Sequence, residues 1–405
     1  MAFLPSAVVY TAGMHSPPLP DFDKAQSRAA AWLKAWDGQG IHRTATIGGR
    51  AAAAWLAREA AALGAEITME GFALDRLEPV ECFLEFGEQR IEVVPVFDAP
   101  ATEPSGISGH LGIIGRSDAE IGVAELSPRA VYTGEFERIR RDSPYRALVV
   151  LCTGDRPGLG LLNAEQFRRP YGAPAVHVSS TDRPALMEAI AQHSPTRLVS
   201  VSRRSAARAF NVIVTLRGTD RTRSPLVVMT PRTSWWQSTA ERGGGIVCWL
   251  EALRALLAAR PAHDVVFTAN SGHELGHLGL DDFLASRPGW DRPAADGGAV
   301  WVHYGANLGA VGGQLSLVSP ADDLRDLAIA ELAQAGQPPD TVAPKHLVPS
   351  GETRDIHRAG GRYLTLVGSN PFFHLPQDRW PHAVDAAAVA RIAAAMARLS
   401  LRLSR

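Results

Sequence analysis

Cysteine is scarce: three residues in 405 (Cys82, Cys152 and Cys248), far apart and odd in number. That excludes a disulfide framework and a Cys-x-x-Cys metal site, and it fits a reducing compartment. Lysine is as rare, at positions 24, 34 and 345, so arginine carries nearly all the positive charge. We read this as codon bias. A surplus of either sign is also missing: 41 Lys+Arg against 42 Asp+Glu leave a formal charge of −1. A long-range grip on nucleic acid or acidic lipid is therefore not expected. No apolar run reaches the ~20 residues that span a bilayer. The opening stretch, residues 1–21, has no basic residue before its apolar part and makes a poor signal peptide. A soluble, cytoplasmic protein is expected. No repeat and no low-complexity tract is found. What is present is ordinary globular composition, 46% hydrophobic and 20% charged, in a length that suits two or three domains or one elaborate α/β unit.

The texture changes along the chain. After a Pro-rich entry at Ser16–Pro20, alanine-rich segments at Ala25–Trp36 and Gly49–Leu63 predict helices, the second stopped by Gly64. Short β-type runs separated by Gly, Pro and Ser then extend to about residue 202. Among them are Arg146–Leu151 and Ala175–Val178, with a helical stretch at Pro184–Gln192. From Arg208 strand-like runs are regular: Asn211–Leu216, Leu226–Met229, Val265–Thr268, Val300–His303, Leu315–Val318 and Tyr363–Val367. Helical patterns lie between or after them at Ile246–Ala259, Asp281–Ala285, Asp322–Gln334 and Ala383–Leu403. The expected fold is α/β, a mixed and mostly parallel sheet flanked by helices, with an inserted β-rich subdomain. The expected division is 1–65 (N-terminal helices of the core), 66–205 (insert) and 206–405 (core). In such sheets chemistry gathers in the loops leaving the strand C-termini, here residues 230–245, 270–279, 303–309 and 369–378.

The loudest local motif is His273-Glu-Leu-Gly-His277. On a helix, histidines at i and i+4 share a face and can grip zinc, with the intervening Glu as general base. Three features argue against that helix. Gly279 comes one residue early for the longer pattern, and Asp281 stands near where a third histidine would be sought. Residues 265–272 read as strand and turn. Glycines at 272, 276 and 279 weaken a helix. His277 is expected to pack in the following helix.

The order of segments from Asn211 onward resembles the zinc exopeptidases of the leucyl-aminopeptidase and glutamate-carboxypeptidase type (peptidase clan MH). Residues 211–218 are similar to the strand opening that family's second half, and Leu226–Met229 to the strand before its His-x-Asp motif. Residues 271–279 resemble its Glu-Glu-x-Gly-x-x-Gly segment. Phe373-His-Leu-Pro-Gln-Asp378 resembles its Tyr-His-Thr-Pro-x-Asp motif, which supplies the last metal-binding histidine. The β-rich middle looks like the protease-associated insert of some members.

The departures are as informative. Arg232-Thr233-Ser234 stands where the family has His-x-Asp, and Glu241-Arg242 where it has the Asp-Asn pair with the bridging carboxylate. His273 replaces the general-base Glu, while Glu274 and His374 survive. Asn307 takes the place of a further Asp. Two ions a few ångströms apart need about five or six ligands, so the resemblance implies one divalent ion held by Glu241, Glu274 and His374. Zinc comes from the resemblance; a Glu/Glu/His set suits Mn, Fe or Co as well. His273 is expected as general base, with ligand or structural donor as alternatives. Arg232, His303 and Asn307 are expected to contact substrate, and Asp355 and His357 are assigned nothing. Each residue has a plain structural alternative: a capping Glu241, a packed His374, a Glu274 paired with an arginine.

The implied function is a metal-dependent hydrolase of the aminopeptidase type, cleaving an amide bond of a small peptide-like substrate with metal-activated water. The alternatives are a catalytically inactive relative serving as a binding or assembly protein, and a non-hydrolytic, cyclase-like metalloenzyme on the same fold. No nucleic acid or membrane partner is expected, and the oligomeric state is open, a homo-oligomer included.

Overall fold

The computed structural model describes residues 22–116, 118–142, 144–220 and 222–405. The Pro-rich entry and the opening apolar stretch lie outside these. Among the described residues the largest sheet has ten strands. From one edge to the other run Thr341–Val342, Leu315–Val318, Arg362–Gly368, Val300–Tyr304, Leu226–Pro231, Val265–Asn270, Thr196–Leu216, Ile67–Phe86 and Gln89–Glu92. Ile107–Gly109 pairs on Thr196–Leu216 outside that order. The four central strands, 362–368, 300–304, 226–231 and 265–270, are mutually parallel. Their neighbours on either side, 315–318 and 196–216, run antiparallel to them. The sheet is mixed with a parallel centre, as expected.

Central strands buried on both faces require apolar runs without alternation, and Leu226–Pro231 and Val265–Asn270 are buried at every residue. Helices supply the cover. In Phe22–Asp37 the buried Ala25, Ala29, Leu33 and Trp36 recur at helical spacing. In Ile47–Ala62 the Thr46 side chain caps the start by accepting from Gly49 N, and Gly64 at φ +97° follows the end. Gly244–Leu257 and Ala386–Leu403 pack against each other on the same side of the sheet. The helix at Asp322–Gln334 has the expected bounds, whereas the last helix starts at Ala386 because Asp385 caps it. No helix of the described residues is long and apolar enough to cross a membrane.

The middle of the chain forms a second, five-stranded sheet of 94–95, 175–178, 147–152, 121–126 and 111–113, whose last four strands are parallel. The helix Arg183–Ala191 packs on it. Two long strands join the sheets. Ile67–Phe86 and Thr196–Leu216 stay paired from Ile67↔Val214 to Phe86↔Thr196, with one bulge between Pro79 and Glu81. Residues 66 and 205, the expected limits of the insert, lie just before the first strand and inside the second.

Candidate active site

The parallel strands end together. Pro231 pairs with Asn270, Met229 with His303, and His303 with Thr365, so the loops after all four strands meet above one edge. Gly244 lets the helical turn carrying Glu241 pack against the loop after the 300–304 strand: a Cβ there would lie 2.0 Å from the Leu308 carbonyl oxygen. His277, Asn307 and His374 all adopt positive φ (62°, 66° and 61°). Non-glycine residues rarely do so, and such strain gathers at functional sites.

Two polar clusters result. The first contains Glu241, Arg242 and His374, all buried. Arg242 Nη2 lies 2.7 Å from Glu241 Oε1, and His374 Nε2 lies 3.6 Å from the same oxygen. Arg242 Nε donates to the Thr233 carbonyl, and His374 Nδ1 donates to the Leu161 carbonyl at 2.6 Å. Burial disfavours a charged Glu241, but Arg242 and then His374 outweigh it and hold the carboxyl below its ordinary range. Burial lowers the His374 pKa. Beneath the cluster, Asp378 accepts from Ala240 N, Glu241 N and Asn370 Nδ2, and burial pushes its pKa up to about 7.

The second cluster contains His273, His277, His303 and Glu352. His273 Nδ1 donates to Glu352, 2.9 Å from each oxygen. His303 Nε2 stands 3.6 Å from Glu352 Oε2, while its Nδ1 is 2.7 Å from Thr365 Oγ1. His277 Nδ1 donates to Asp355 at 2.7 Å. The Nε2 atoms of His277 and His303 are buried without a hydrogen-bond partner. Burial pushes the His273 pKa down to about 4, helped by Arg242. It would lower His277 too, but the Asp355 carboxylate outweighs it and the pKa is raised. Burial opposes ionisation of Glu352, yet the charge of His273 and its hydrogen bond hold the carboxyl well below its ordinary range.

A cleft of about 460 Å³ opens on this cluster. His273, His303, Glu352 and Asn307 line its inner side, and Arg129 and Tyr132 of the insert overhang it. Asn307 Nδ2 donates to the Gly368 carbonyl, leaving Oδ1 buried and unpartnered.

The expected ligand trio is only partly assembled. Glu241 and His374 meet, but both Glu274 oxygens are taken, one by Thr44 N and one by the Thr233 hydroxyl, at 2.7 Å each. Arg232 is likewise turned from the cleft: its two Nη atoms donate to the Gly49 and Phe210 carbonyls at 2.8 Å. Burial lowers its pKa to about 10. His303 and Asn307 stand on the cleft wall. Sequence reasoning missed Glu352 and Asp355. Only the Gly351-Glu352 turn at a helix start signals the first, and the second is weighed from sequence but assigned no role. His357 lies 3.0 Å from the Tyr363 hydroxyl and joins neither cluster.

No protein-family model and no curated protein matches this chain. Solved structures do. A zinc aminopeptidase from Bacillus subtilis aligns over 94% of this chain and 95% of its own, at TM-score 0.72 and 15% identity. An aminopeptidase from Aneurinibacillus sp. strain AM-1 aligns over 95% and 94%, at 0.67 and 14%. A peptidase M28 precursor from Shewanella amazonensis aligns over 95% and 98%, at 0.69 and 14%. The chain therefore has the fold of the zinc aminopeptidases and M28 peptidases, with the insert included in the match.

Proposed function

We propose that this chain is a metal-dependent hydrolase that cleaves an amide bond of a small peptide-like substrate, using one divalent ion. The observation that carries this reading is the cleft at the C-terminal edge of the parallel strands, whose inner wall holds His273, His303, Glu352 and Asn307. Unpartnered buried atoms on that wall, His303 Nε2 and Asn307 Oδ1, are left free to meet a ligand.

A two-ion site does not fit these residues. The Arg242 guanidinium already neutralises Glu241, Arg232 stands where the family has its first histidine, and both Glu274 oxygens already accept a hydrogen bond. Ligands for one ion are available beside the cleft in His273, His277 and Glu352. When bound there, the ion supplies a Lewis acid beside which water ionises near neutral pH.

The chain's own residues then have distinct tasks. His303, its Nδ1 fixed by Thr365, takes a proton at Nε2. Asn307 Oδ1 accepts a hydrogen bond from a substrate N–H, since its amide nitrogen is committed to Gly368. Tyr132 and Arg129 narrow the entrance and limit the substrate to small molecules. The test is turnover of aminoacyl anilides, dipeptides and simple amides by protein supplied with Zn²⁺, Mn²⁺ or Co²⁺. We expect chelator-sensitive hydrolysis and a kcat lower by about 100-fold or more in His303→Gln. Absence of turnover with every ion and substrate class, or turnover indifferent to chelator, would refute the reading.

A further inference from the structure

The geometry points to a relocated metal site: one divalent ion bound by His273, His277 and Glu352, displaced from the Glu241–His374 position that the sequence motifs imply. The inference rests on the hydrolase reading only for its use in catalysis, because binding itself follows from the residues.

One ligand atom from each of the three buried residues can be chosen so that all lie within 4.8 Å of one another. Two imidazoles and a carboxylate with an open position form a known catalytic zinc set. One ligand is held from behind. His277 Nδ1 is fixed by Asp355, so its unpartnered Nε2 is the atom left to coordinate. A carboxylate behind a histidine is the usual device for orienting a metal-bound ring. Among the described residues Glu352 is buried without a lysine or arginine ion pair, and its ion-pair partners are His273 and His303. A buried carboxylate is costly unless a cation joins it.

The pair His273 and His277 does not come together as a helical i, i+4 motif would bring it. Residues 273–275 form one turn of 3₁₀ helix, Gly276 and His277 both take left-handed backbone (φ +78° and +62°), and the next helix starts only at Leu278. A Cβ at Gly276 would lie 2.7 Å from the Glu165 carbonyl oxygen, so the turn needs glycine. Through this turn the two rings still approach to 5.3 Å between centroids. Glu274 between them points the other way, onto Thr44 and Thr233. Glu352, from a loop 79 residues further on, takes the third position.

The test uses untagged wild-type protein, loaded with Zn²⁺ and dialysed, read by elemental analysis and X-ray absorption at the zinc edge. About one ion per chain with two imidazoles is expected; the Glu241–His374 position would give one imidazole. With folding checked by circular dichroism, His277→Gln and Glu352→Gln should lower bound zinc at least tenfold, and Asp355→Asn should weaken affinity about 10- to 100-fold. Glu241→Gln and His374→Asn should keep one ion. A single imidazole, loss of zinc in His374→Asn alone, or no bound ion would each overturn the site. Zinc on two imidazoles in a protein that turns over nothing would uphold the site and refute only the hydrolase reading; chelator-sensitive turnover with one imidazole would do the reverse.

Discussion

Glu274 illustrates how little a residue's identity says about its direction. Its neighbours in sequence, two histidines and two glycines, suit a catalytic carboxylate. In the fold it closes a buried knot instead. Thr44 N and Thr233 Oγ1 donate to its two oxygens, and Thr44 Oγ1 and Thr233 Oγ1 both accept from Gly272 N. Replacing one oxygen by an amide group sets a donor against a donor. Glu274→Gln should therefore lose about 1–3 kcal/mol of stability in urea unfolding while still binding zinc. A variant of wild-type stability that no longer binds zinc would return Glu274 to the ligand set. Arg242 makes a related point, since its guanidinium occupies, beside Glu241 and His374, the kind of place a cation would otherwise fill.

Among the elements, the C-terminal helix Ala386–Leu403 is the clearest case of local sequence deciding local structure. Eight of its residues are alanine, the best helix former, and Asp385 accepts from Ala387 N and Ala388 N at 2.8 and 3.3 Å. Its buried face packs on Gly244–Leu257, the helix that starts just after Glu241 and Arg242. Removing the cap in Asp385→Ala should cost about 1 kcal/mol, seen as a lower urea midpoint at unchanged m-value. Metal content should not change, because Asp385 bonds Ala387, Ala388 and Gly309 and not His273, His277 or Glu352. A loss much above ~2 kcal/mol would mean that Asp385 also holds the 309–313 turn, to which its backbone N–H is bonded through Gly309 O.

For the whole molecule, buried neutral histidines tie stability to pH. Burial pushes His177 in the insert and His42 beside Trp36 down to about 3. His177 Nε2 accepts the Leu162 N–H, which only a neutral ring can do. Each folded pKa lies below the unfolded value near 6.5, so the stability it contributes is complete above pH 6.5. It is lost as pH falls from 6.5 toward 3, by on the order of 1 kcal/mol per pH unit for each ring. The difference in unfolding free energy between wild type and His177→Gln should therefore shrink between pH 7 and pH 5, with other titrations cancelling in the comparison. A constant difference would show that His177 is not neutral in the fold.

The sequence by itself determined the layers and their order. Short apolar runs such as 226–229 and 265–267, bounded by turn residues and alternating with helical patterns, suit strands covered on both faces, and the alanine-rich periodic segments suit their cover. That pattern is local, and it also placed the loops at 230–245, 270–279, 303–309 and 369–378 on one edge. It could not determine where the side chains in those loops point. Glu274 is turned by an N–H 230 residues away, Glu352 reaches His273 from 79 residues away, and Arg232 is drawn off by the Gly49 carbonyl. The positive φ angles that aim His277, Asn307 and His374 are sustained only by the packing around them. Periodicity is set by nearest neighbours and is legible along the chain, whereas the direction of a buried polar group is set by whichever distant partner satisfies it, and only the folded chain brings that partner near.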